Sequence, residues 1–260
     1  MKYKYIDEEK QHLHTLDGKP LLGTSTVVGI IAKPLTWWAS GLACGVLGWL
    51  NPKNNAPEAV KTRAGDALNA IKTLDTDSYI ELLQKAYKAH SEKLDLSAES
   101  GTDMHAELER YVKNTMANRM DTYSDKIMPF ITWANKNVKQ FLWSEGHCYS
   151  EKLWCGGISD CGAVLNDDSI AIIDFKSGKE AYTSQFIQCA GYGLQIMENG
   201  VVDSEGKNVI KLLEPKFGAY IVVPFGAKDP TPVVMRNTGE LEEAFVHACE
   251  LYKFINKTDK

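Results

Sequence analysis

The chain has 260 residues, 44% hydrophobic and 24% charged, with a formal net charge of −5. These figures describe an ordinary soluble globular protein with room for one generous domain. They exclude an overall basic field, so a nucleic-acid partner has to be held by a local patch or through metal ions.

Met1 to Lys10 is charged and reads as mature protein rather than a signal peptide. His12 to Leu16, the turn Asp17-Gly18-Lys19-Pro20, and Thr24 to Ile31 predict a strand, a turn and a second strand. His12 and His14 share a face of the first strand, which we read as an exposed edge. The uncharged run Leu35 to Leu50, with Trp37 and Trp38, is shorter than the ~20 residues of a membrane span. It is bracketed by Lys33-Pro34 and Pro52 and reads as a buried helix, with no membrane partner. Residues 52–77 suit a surface connection containing a short helix. Asp77-Ser78 caps a helix running to about Leu94.

Gly101-Thr102-Asp103-Met104-His105-Ala106-Glu107-Leu108-Glu109 opens a further helix, whose buried face is marked by Leu108, Tyr111, Val112 and Met116. His105 and Glu109 lie four residues apart on a neighbouring face. Residues 123–139 predict another helix, interrupted by Pro129, and a strand at Gln140 to Trp143 leads to Glu145.

Gly156 to Lys176 is the most informative stretch. Two apolar strands flank the turn Asn166 to Ser169, so pairing about that turn brings Asp160 near Asp174 at the far end. Asp174 and Lys176 share one strand face with Ile172, while Ala171, Ile173 and Phe175 share the other. Two carboxylates and a lysine at the end of an apolar hairpin are costly to bury, and a divalent cation compensates that cost. A helix follows from about Thr183 to Met197, with Gln188 and Tyr192 on one face with Gln185 and Gln195. Glu198 to Asn208 reads as a loop, Lys216 to Pro224 as a strand, and Leu241 to Ile255 as a helix with Leu241, Phe245, Ala248, Leu251, Tyr252 and Ile255 buried.

The six cysteines, Cys44, Cys148, Cys155, Cys161, Cys189 and Cys249, form no C-x-x-C pair and read as reduced core thiols.

Asp160 followed by Asp174-Phe175-Lys176 resembles the PD-(D/E)XK nuclease motif. Gly101-Thr102 with His105 upstream, and Gln188 with Tyr192 downstream, resemble the flanking motifs of its RecB-like exonuclease branch. The opening strands and the Lys-Pro-initiated helix are similar, more loosely, to phage-type members. The resemblance implies an α/β fold with a restriction-endonuclease-like core, a small mixed sheet flanked by helices. It implies one domain over residues 1–260, an N-terminal part at 1–97 and a catalytic core at 98–260. It implies Mg²⁺ or Mn²⁺ held by His105, Asp160, Asp174 and the Phe175 carbonyl, with Lys176 acting on the attacking water. Gln188 and Tyr192 are implied to contact DNA or support the lysine, and Glu109 and Glu145 are further candidate ligands. The expected activity is Mg²⁺-dependent exonucleolytic hydrolysis of DNA, in a bacterial or phage-infected cytoplasm, beside a recombination or replication protein. A non-cutting DNA-end module with the same fold is the alternative. Some relatives of this kind carry an iron–sulfur cluster, but no matching set of four cysteines occurs here.

Overall fold

The computed structural model describes residues 2–8, 11–31, 36–212, 216–227 and 230–256. In chain order the strands and helices begin with β1 (Tyr3–Glu8), β2 (Gln11–Leu16), β3 (Lys19–Pro20), β4 (Leu22–Gly23) and α1 (Thr24–Gly29). They continue with α2 (Thr36–Val46), α3 (Pro57–Lys72), α4 (Thr76–Met116), α5 (Met128–Asn137) and β5 (Val138–Ser150). The remainder is β6 (Cys155–Leu165), β7 (Ile170–Lys176), α6 (Thr183–Asn199), β8 (Val201–Val202), β9 (Asn208–Ile210), β10 (Phe217–Pro224), β11 (Val233–Arg236) and α7 (Glu240–Ile255).

The chain divides into two compact units: residues 1–32 with 101–260, and residues 33–100. Residues 1–32 thus group with the larger unit and not with residues 33–97. Residues 1–32 belong with the core because β4 pairs with β6 and Thr24 Oγ1 donates to the Gly156 carbonyl at 3.0 Å.

The larger unit is mixed α/β, built on an open mixed sheet in the order β11-β10-β7-β6-β5-β8-β9, with β4 attached to β6. β7 pairs antiparallel with β6 and parallel with β10, so β7 is covered on both edges. Strands covered on both faces read as nearly continuous apolar runs, and Ile170-Ala171-Ile172-Ile173 in β7 is one. Successive side chains point to opposite faces. Ala171, Ile173 and Phe175 accordingly meet Leu108, Tyr111 and Val112 of α4 and Phe130 and Ile131 of α5. Ile172 instead meets Phe186, Cys189 and Ala190 of α6 on the other face. Pro129 opens α5 at its first turn rather than interrupting it, where a missing N–H costs nothing.

Three expectations fail for identifiable reasons. Thr24 to Ile31 is largely the helix α1, because Val27 and Val28 bury against α6 and α7, a tertiary contact that outweighs β-propensity. β2 is no exposed edge: it lies between β1 and β3, and His14 is buried. The helix through Trp37 and Trp38 forms, but no residue in it is buried and Trp37 is 89% exposed. Lys33-Pro34-Leu35, expected to open it, lies outside the described residues.

Smaller departures follow the same logic. Met116 ends α4 and is exposed, as are Leu251 and Ile255 in the second half of α7. The loop at 198–208 contains β8, and β11 forms beside β10. Five cysteines are buried free thiols, while Cys44 is exposed. No helix among the described residues is long and apolar enough to cross a membrane.

Candidate metal centre

The site is assembled at the open end of the β6–β7 hairpin. Leu165 N–H donates to Ser169 O at 2.9 Å and closes the turn, and the register then sets Cys161 opposite Ile173. One step further along, Asp160 reaches across: its Oδ2 accepts the Phe175 N–H at 2.7 Å. This bond fixes the carboxylate at the strand end without consuming its other lone pairs.

His105 approaches from α4, with Nε2 3.4 Å from Asp160 Oδ2 and 3.9 Å from Glu145 Oε1. Its ring meets Phe175 edge-on, at 5.8 Å between centroids, which holds the imidazole over the hairpin. The hydrogen bond to Asp160 raises the His105 pKa against the opposing effect of burial.

Glu145 comes from β5. The pairs Ser144–Cys161 and Gly146–Ser159 flank it and set it across from Asp160. Its backbone has φ 53°, a left-handed conformation in mid-strand. That conformation costs a side-chain-bearing residue about 1–2 kcal/mol and persists where surrounding structure enforces it, commonly at functional sites. Burial, then the neighbouring Asp160 charge, pushes the Glu145 carboxyl up to about 7. His105, Glu145 and Asp160 offer three ligand atoms within 4.8 Å of one another. Oxygen-rich ligation with one imidazole suits Mg²⁺ or Mn²⁺.

Asp174 is 1% exposed and lies outside this trio. Lys176 Nζ sits 2.8 Å from its Oδ2, but off the direction of a good hydrogen bond, and Oδ1 has no partner among the described residues. Burial raises the Asp174 carboxyl to about 6, with Lys176 opposing and Asp160 adding to the shift. A buried carboxylate oxygen without a hydrogen-bond partner is costly, and a cation is one group that could satisfy it.

Gln188 and Tyr192 are both buried, and Gln188 Nε2 donates to the Tyr192 hydroxyl at 2.6 Å. They brace the hairpin from behind: a Cβ on Gly157 of β6 would lie 2.6 Å from the Tyr192 ring. Among the described residues neither bonds Lys176. Glu109 pairs with Lys113 and adds negative charge near His105 and Glu145. Gly101 and Thr102, which open the expected motif, lie on α4.

Glu145 stands out only weakly in the sequence, because a glutamate at the end of a short predicted strand resembles a surface residue. Its signal was Ser-Glu-Gly inside a longer apolar run. No protein-family model matches this chain, and no curated protein matches it.

Proposed function

We propose that this chain is a metal-dependent DNA nuclease with a restriction-endonuclease-like core of the RecB-like type, acting as an exonuclease in DNA processing, recombination or replication. One observation carries the reading: His105, Glu145 and Asp160 converge within 4.8 Å beside the buried Asp174–Lys176 pair. A purely structural hairpin has no use for so expensive a cluster.

The residues divide the chemistry among them. His105, Glu145 and Asp160, with the free oxygen of Asp174 and the carbonyl of Phe175, would hold Mg²⁺ or Mn²⁺. Held there, such a cation would supply positive charge to offset the phosphodiester and would acidify water for attack. Lys176, anchored by Asp174, orients the attacking water and steadies the charged phosphate. Asp160, tied to the Phe175 N–H, keeps the ligand geometry from relaxing. Buried Gln188 and Tyr192 keep β6 and β7 in place.

End-labelled single- and double-stranded oligonucleotides, incubated with and without Mg²⁺, test the reading. Stepwise shortening that requires the metal and disappears in Asp174→Ala is the expected result. Retention of labelled DNA without cleavage identifies the non-cutting end-binding module instead.

A further inference from the structure

The β1–β2 hairpin carries a ring cluster that the metal chemistry leaves unused. Pairing sets Tyr3 opposite Leu16 and Tyr5 opposite His14, so these side chains share one face. Tyr3 is 1% exposed, and its hydroxyl lies 2.6 Å from His14 Nδ1 and 3.3 Å from His147 Nδ1. One hydroxyl carries one proton, so between two neutral imidazoles it donates to one and accepts from the other. The two bonds therefore hold His14 and His147 in complementary tautomers. His14 is buried and His147 half-buried, so of the two rings His147 presents the reachable edge.

Tyr5 completes the cluster. Its ring lies 4.9 Å from His14 and 4.8 Å from His147, tilted by 38° and 53°. It is half-buried, and its hydroxyl is tied to His12 Nδ1 at 3.0 Å. His147 follows Glu145, a candidate ligand, by two residues on β5. The arrangement therefore offers a pinned aromatic face and a half-buried imidazole, two residues along the strand from that carboxylate.

We propose that Tyr5 and His147, held by Tyr3 and His14, form a cradle for an unpaired nucleobase of the bound strand. Tyr5 stacks on the base, and the half-buried His147 imidazole meets its edge. This rests on the nuclease reading and adds a substrate class to it, because a paired base has both its edge and its faces occupied. The preferred substrate is then a single-stranded or frayed end.

The test uses the full chain and a short single-stranded oligonucleotide carrying 2-aminopurine at its end, with Ca²⁺ in place of Mg²⁺ to slow cleavage. Stacking should quench the fluorescence severalfold in the parent. Tyr5→Leu keeps apolar volume without a π face; it should lose the quench and weaken binding by about 5- to 100-fold, the range of a single base stack. Tyr5→Phe should retain both. His147→Ala should change the ranking among the four terminal bases. Quenching and affinity in Tyr5→Leu equal to the parent overturn the cradle, while Mg²⁺-dependent cleavage by the same preparations leaves the nuclease reading standing. Loss of the quench in Tyr5→Leu, in a parent that never cleaves, keeps the cradle and removes the nuclease. A parent that neither quenches nor cleaves removes both.

Discussion

Asp160 hydrogen-bonds through its carboxylate Oδ2 to the backbone N–H of Phe175, across the open end of the β6–β7 hairpin, at 2.7 Å. The same oxygen lies 3.4 Å from His105 Nε2. Asp160 thus serves the fold and the candidate site together, and substitutions can separate the two roles. Asp160→Ala should abolish metal-dependent cleavage and also cost about 1–3 kcal/mol of stability, by stranding the Phe175 N–H. Asp160→Asn keeps an acceptor oxygen, so it should lose activity while melting close to the parent. Thermal melts and end-label assays on both variants check this, and equal melting temperatures for the two would show that the bond contributes nothing.

Asp174 and Lys176 should behave as a unit. Lys176→Met leaves a buried carboxylate without its cation and should destabilise the protein by about 3–5 kcal/mol. Adding Asp174→Asn to that variant should recover most of the loss, since the uncompensated charge is gone. Both variants should be inactive. Denaturant melts of the two single variants and the double variant close the cycle, and additive stabilities would contradict it.

Stability without metal should fall as pH rises. Burial raises Asp174 from an ordinary 3.8 to about 6, and Glu145 from 4.5 to about 7. Between those values the folded protein retains protons that the unfolded chain has released, so deprotonation favours unfolding. The stability held below pH ~4 is lost as pH climbs through about 6 to 7, by roughly 2–3 kcal/mol for Asp174. Asp174→Asn should flatten much of that slope in melts run in chelator. Mg²⁺ should oppose it, because the cation binds the ionised carboxylates.

Glu145→Gly relieves a left-handed backbone position and removes a ligand. Without metal the variant should be as stable as the parent or more so by up to about 1 kcal/mol, while Mn²⁺ affinity measured by calorimetry drops at least tenfold. His105→Ala should also weaken Mn²⁺ binding and shift the ratio of Mn²⁺- to Mg²⁺-supported activity, since it deletes the nitrogen donor. Full specific activity with a lowered melting temperature would remove His105 from the site.

Gly162→Ala tests the packing behind the hairpin. A Cβ there would lie 2.2 Å from the Trp143 ring, a clash that a rigid indole in a filled core cannot absorb. The expected cost is about 2 kcal/mol or more. An unchanged melting temperature would show that Trp143 can move aside.

The sequence by itself determined the hairpin. Nearly continuous apolar runs on either side of Asn166–Ser169 specify two strands, and pairing about that turn places Asp160 near Asp174 and sets Ile172 and Ile173 on opposite faces. The helices at α6 and α7 were legible for a similar reason, because a period of 3.6 is a local property of the chain. Only the tertiary structure decided what joins the hairpin. Glu145 joins the candidate site because β5 pairs with β6 across more than a dozen residues of separation, which sets it opposite Asp160. α1 is a helix because α6 and α7 cover its valines, and His14 is buried because β1, a strand the composition hid among charged residues, lays Tyr3 against it. Local pattern fixes what a segment can form; which charges and rings it meets is set by contacts between segments distant in the chain, and their free energy outweighs propensities of a few tenths of a kcal/mol per residue.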